Sequence, residues 1–200
     1  MNARIRTLLS SIIFTGDMVL TTPLKSQVRK KKFLQRLQYA IAFFFIRLVS
    51  RTHYIHVVMA FGKGTFLSTE PPRGRVIELK DFEDQDILVR RRKEPWTAAQ
   101  KKKMQKEWRT KYWNRPYDIP QLAVMLGHWL LGIRRDRMIW EPHKNRYVCS
   151  HTQAGLERAT GVNTYGRIHT ARVNPGDCLR NKHYETILRI RKGKIKYINI

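Results

Sequence analysis

The stretch that decides the fold is His56-Val57-Val58-Met59-Ala60-Phe61-Gly62-Lys63-Gly64-Thr65-Phe66-Leu67-Ser68-Thr69-Glu70. Two apolar runs of β type, His56–Phe61 and Thr65–Thr69, flank a Gly-Lys-Gly loop. A three-residue loop ending in Gly is a favoured hairpin, because glycine takes the left-handed conformation without a Cβ clash. With 62–64 as the loop, Phe61 faces Thr65, Ala60 faces Phe66, Val58 faces Ser68 and His56 faces Glu70. Opposed residues of an antiparallel pair share a face, with Cβ atoms about 4.5–5.5 Å apart. A carboxylate so placed orients an imidazole and stabilises its cation. A two-residue loop would slip the register by one and send Glu70 to the other face.

Upstream, Gly16-Asp17 is a turn entering a short strand, Met18-Val19-Leu20-Thr21. Lys25–Val49 lacks Pro and Gly, and Phe33, Leu34, Leu37, Ile41, Phe44, Phe45 and Leu48 recur at three- and four-residue steps. That periodicity predicts an amphipathic helix with a basic first half, packed on the core. A membrane-surface helix is the alternative. Downstream, Pro71-Pro72 stops the second strand, and Arg75–Leu79 and Asp86–Arg92 read as further strands. Glu94–Trp113 is a charged helix and Gln121–Leu131 an apolar one, followed by a polar connection over 134–146. Cys149–Thr160 is a helix stopped by Gly161. Asn174-Pro175-Gly176-Asp177 reads as a turn, and Tyr184–Ile200 as two strands joined at Gly193. The class is α+β with a mostly antiparallel sheet packed against helices. Residues 1–200 are expected to form a single domain, with a basic helical segment at 25–50 and a charged helical insertion at 94–115.

Forty Lys and Arg oppose 15 Asp and Glu in 200 residues, a formal net charge of +25. A hydrophobic share of 42% excludes a wholly disordered chain. The charge sits in three clusters, over 25–36, 90–115 and 189–196. It favours polyanions such as nucleic acid, anionic headgroups or cell-wall polymers. Trp96, Trp108, Tyr112, Trp113 and Tyr117 interleave the second cluster. Such aromatics stack on bases in some proteins; packing on the domain is the reading favoured here. No run of about 18 apolar residues marks a membrane span. The apolar run near the N-terminus is short and lacks a small-x-small cleavage site, so a cytoplasmic or virion-associated location is expected.

Two cysteines do not make a disulfide framework, although one bridge between them stays open. Tyr147-Val148-Cys149-Ser150-His151 places Cys149 where an apolar approach becomes a helix. The positive end of the helix dipole lowers a thiol pKa there, and free backbone N–H groups can stabilise an oxyanion. The commoner role of such a cysteine is a small buried hydrophobe. Cys178 reads as a packing residue. Cys149-x-His151 with Cys178-x4-His183 offers four zinc ligands, but C-x-H is unlike the usual knuckle, and no metal is expected.

Taken in order, five segments resemble the permuted NlpC/P60 superfamily of papain-like thiol hydrolases, in particular its YiiX-like group. They are Gly16-Asp17-Met18-Val19-Leu20, Tyr54-Ile55-His56-Val57, Phe66-Leu67-Ser68-Thr69-Glu70, Tyr147-Val148-Cys149-Ser150 and Asn174-Pro175-Gly176-Asp177. The resemblance spans about residues 14–188. It implies a circularly permuted papain-like fold with Cys149 as nucleophile, His56 as base and Glu70 as orienting acid. Ser150, Tyr117 and Tyr54 are candidates for substrate or oxyanion support. His53 is a rival base, and His151 stands where the family usually has Glu. The implied activity is cleavage or transfer at an amide or ester bond in a peptide, peptidoglycan or lipid-amide substrate, with no cofactor. The alternative is a non-catalytic, strongly basic polyanion- or nucleic-acid-binding protein on the same fold, of the kind found in phage virions.

Overall fold

A computed structural model describes residues 3–22, 33–62, 64–82, 85–138 and 145–198. In chain order the elements are α1 (Ala3–Ile12), β1 (Met18–Thr21), α2 (Phe33–Ser50), β2 (His56–Gly62), β3 (Thr65–Glu70), β4 (Arg73–Glu78) and β5 (Ile87–Arg92). There follow α3 (Ala98–Glu107), which continues as a π-turn over Trp108–Tyr112, and α4 (Ile119–Leu130). The chain then forms α5 (Cys149–Ala159), α6 (Pro175–Arg180), β6 (Tyr184–Arg191) and β7 (Lys194–Ile198). The fold is α+β, with the seven strands in one sheet in the order β4-β3-β2-β1-β5-β6-β7, every neighbouring pair antiparallel.

The shortest of the central strands holds the middle of the sheet. Met18, Val19, Leu20 and Thr21 are all buried, so β1 needs apolar residues on both faces. The Gly16-Asp17 motif before it has a physical reason. Gly16 sits at φ +96°, with the Trp96 ring where a Cβ would be. Asp17 accepts from the Phe14 N–H and from Arg91, which anchors the turn to β5.

Alternation along the strands builds two cores. Val19, Val58, Phe66, Val89 and Leu188 face Leu9 and Ile12 of α1. Met18, Leu20, Val57 and Leu88 face the other side, against Ala154 of α5 and Cys178 of α6. Gly176 lets α6 seat against the end of α2: a Cβ there would lie 2.1 Å from the Ser50 carbonyl.

Several expectations are corrected. Asn174-Pro175-Gly176-Asp177 opens a helix rather than forming a turn, because Asn174 and Asp177 make a reciprocal capping box and Pro175 suits the first helical position. Cys178 is therefore a helical core residue. Phe44 and Leu48 of α2 are exposed, and Ile46 is the buried one. The helix presents its 43–46 side to α4, so the predicted stripe was rotated. The basic first half of that helix, 25–32, lies outside the described residues. Trp96, Trp108, Tyr112 and Tyr117, by contrast, are buried in keeping with the favoured packing reading, and Trp113 is half exposed.

Candidate active site

The hairpin carries one more irregularity than the sequence reading allowed. Met59 faces Leu67 and Ala60 faces Phe66, as expected, but Gly62 rather than Phe61 faces Thr65, with a register shift between Ala60 and Gly62. Gly64 takes φ +74° in the turn, and a bulge between Ala60 and Gly62 offsets the shorter loop, so the expected Ala60–Phe66 and Met59–Leu67 pairs survive. His56 Nε2 accordingly lies 3.8 Å from Glu70 Oε2 and 2.9 Å from Ser68 Oγ.

His56, Ser68 and Glu70 have the strand parity opposite to Val57 and Thr69. The latter parity faces α5, where Thr69 Oγ1 meets Thr152 Oγ1 at 2.9 Å. Cys149 opens α5, the helix on the side that Val57 and Thr69 face, and the backbone N–H groups of Val57, Ser150 and Cys149 favour its thiolate.

Burial dominates the electrostatics. Cys149 is 3% exposed. Its thiol is pushed up to about 11 by desolvation, with the Glu70 carboxylate adding to the rise and the three backbone N–H groups opposing it. The expectation of a lowered pKa is thus overturned, since the dipole of the helix start is outweighed by loss of water. His56 is held below its ordinary value, first by burial and then by Arg75, against the pull of Glu70. At neutral pH both groups rest uncharged.

Ser68 and Arg75 were missed. Arg75 donates from Nε to Glu70 Oε1 at 2.8 Å and also contacts it through Nη2. The signal was present in the Pro71-Pro72 connection: with Glu70 opposite Arg73, Arg75 becomes the diagonal neighbour on the same face. Ser68 follows from the His56 parity.

The supporting candidates fall in different places. The Ser150 hydroxyl donates to the Val173 carbonyl at 2.6 Å, so only its backbone faces the thiol. Tyr117 lines a narrow apolar slot with Cys149, between Ile46 of α2 and Leu122 and Met125 of α4, with a cavity volume of about 10 Å³. Tyr54 is not brought to the thiol: it is buried and lies against the tilted His53 ring, centroids 4.1 Å apart. His53 keeps to the loop with it. His151 packs edge-on to Tyr147, its pKa lowered by burial to about 3.

Cys149 and Cys178 are both free thiols. Cys178 lies in the core, 3.3 Å from the Tyr165 hydroxyl. Among the described residues, no group of three or more His, Cys, Asp and Glu side chains gathers closely enough to hold a metal ion. Nor is any helix among them long and apolar enough to cross a membrane.

The arrangement is that of an α+β protein with a cysteine-led helix set against the end of a histidine-bearing strand. No protein-family profile and no curated protein sequence matches the chain. Among solved structures, it shares its fold with metalloprotein YiiX from Escherichia coli O157:H7. The TM-score is 0.56 and the identity 15%, over 88% of this chain and 97% of that one. Among the described residues, the donor set does not fit a metal site.

Proposed function

We propose that this protein is a thiol hydrolase of the permuted papain-like type, cleaving an amide or ester bond through Cys149, His56 and Glu70. The observation that carries the reading is the His56–Glu70 pair, 3.8 Å apart on the hairpin against which α5, begun by Cys149, packs through Thr152 and Thr69. The YiiX-like fold supports it. So does the chain order, in which the sheet histidine precedes the helix cysteine.

With Nε2 engaged by Ser68 and Glu70, Nδ1 is the nitrogen left to act as base. Because thiol and imidazole both rest neutral, His56 takes the proton as the sulfur attacks the carbonyl, rather than holding a preformed ion pair. The carbonyl oxygen gains the displaced electron pair, and backbone N–H groups at the start of α5 stabilise it. Collapse releases the amine or alcohol with the proton from His56 and leaves a thioester on Cys149. Water, deprotonated by His56, then frees the acid and the thiol.

Incubation with an activated acyl ester, followed by peptide mass spectrometry, tests the reading. The expected result is one acyl group on Cys149, absent in Cys149→Ala and retained in Cys178→Ala. His56→Ala should slow acylation by roughly 100- to 10,000-fold. Acylation elsewhere, or acylation indifferent to both variants, overturns it.

A further inference from the structure

A second cavity lies beside the slot and is far roomier, at about 360 Å³. Val49, Met125 and Asn174 line both spaces, so the two share a wall. Four guanidinium groups line the larger one: Arg51 just after α2, Arg135 after α4, Arg172 before α6, and Arg180 at the end of α6. No acidic side chain is among its described lining residues. Two carboxylates act on them: Asp177, which pairs with Arg135 and stands 3.9 Å from Arg180, and Asp136, which pairs with Arg134 and whose charge reaches Arg172. Two carboxylates against four guanidinium groups leave a local excess of positive charge.

Part of this cluster is structural. Arg172 is buried and donates to the carbonyls of Arg134 and Arg137. Arg135 also donates to the Arg172 carbonyl at 2.9 Å. Arg51 and Arg180 are exposed. Arg51 lies 5.9 Å from the centre of the Trp129 ring, and Arg180 reaches the Ser50 carbonyl at 3.4 Å. These contacts leave much of the donor capacity of two planar forks turned to the cavity.

His128, itself 6% exposed, also lines the cavity and adds no negative charge to it.

We infer that this cavity is a binding site for a phosphate group, gripped by Arg51 and Arg180 and backed by Arg135 and Arg172. Guanidinium forks match the geometry of phosphate oxygens and bind them through charge-assisted pairs. An anion held there lies beside the approach to Cys149. Leu130 and Leu131 stand exposed at the rim-side end of α4, so the phosphate is carried either by a soluble ligand or by a lipid headgroup.

The site is tested by titrating the whole protein with sodium phosphate at constant ionic strength, following heat and Trp fluorescence. Saturable binding is expected. Arg51→Gln/Arg180→Gln should weaken it by about tenfold or more, the size of one or two lost charge-assisted bonds. Arg51→Lys should lose less. Lys192→Gln/Lys194→Gln, which line a separate surface on the β6–β7 hairpin, should change it by less than about twofold. Binding should survive Cys149→Ala, which separates this site from the hydrolase reading. Arg51→Gln alone serves should the double variant melt early. A second arm uses vesicles of phosphatidylcholine with a minor share of phosphatidic acid. Loss of vesicle binding in the double variant identifies a headgroup site, and unchanged vesicle binding beside lost phosphate binding identifies a soluble ligand. Absence of saturable phosphate binding, or equal weakening by the hairpin variant, overturns the proposal.

Discussion

Glu70 is shared: one carboxylate oxygen lies 3.8 Å from His56 Nε2, and the other accepts from the Arg75 guanidinium. Arg75 thus fixes the carboxylate in place and at the same time draws off part of its charge. The imidazole feels both partners with opposite signs, Glu70 raising its pKa and Arg75 lowering it.

Removing either partner should therefore move the His56 titration in a known direction. Arg75→Gln leaves Glu70 unopposed and should raise the His56 pKa, whereas Glu70→Gln should lower it further. Ring-proton NMR against pH reads both shifts. Glu70→Gln should also slow acylation while leaving the melting temperature nearly unchanged, since the pair sits at a half-buried strand end. Equal shifts of one sign in both variants would dismiss the shared carboxylate.

Thiol labelling separates the two cysteines. The Cys149 thiol is pushed up to about 11, so its alkylation by iodoacetamide should climb about tenfold per pH unit well beyond the ordinary thiol range near 8.5. Cys178, raised by burial in the core beside Tyr165, should react only on unfolding. A labelling rate for Cys149 that levels off near pH 7 would contradict the neutral resting thiol.

Glu157 predicts a pH dependence of stability unrelated to the site. Its carboxylate is buried and accepts from Gln153, Thr164 and Tyr184, yet desolvation outweighs those bonds and raises its pKa. A raised carboxyl favours the folded state most below the unfolded value of about 4.3, and this contribution is lost as pH rises through the folded value. Urea unfolding of the wild type and Glu157→Gln across acidic to neutral pH should show the wild type losing ground as pH increases. A difference that is flat or grows with pH would refute it.

The surface charge predicts weak, salt-sensitive binding to duplex DNA or heparin. Arg191, Lys192, Lys194 and Lys196 are exposed together on the β6–β7 hairpin. Each neutralised phosphate releases a counterion, so affinity should fall steeply with salt and survive Cys149→Ala. Retention on heparin that ignores salt would count against it.

The sequence by itself determined the local pieces whose signals are local. The Gly64 turn placed β2 against β3, Gly161 closed α5 at φ +85°, and Gly193 marked the last hairpin at φ +70°. In each case a left-handed backbone needs glycine, whatever surrounds it. The placement of His56 and Glu70 on one face was read from a three-residue loop, but it is the bulge between Ala60 and Gly62, which the sequence did not signal, that restores it. Tertiary structure alone decided the electrostatics and the neighbours. The dipole at the start of α5 favours a thiolate, but packing against β2 strips water from Cys149 and reverses the result. The Arg51, Arg135, Arg172 and Arg180 cluster gathers residues spread over 130 positions of chain and shows no spacing to read. Burial and long-range assembly depend on where every other element lies, and no window of sequence contains that information.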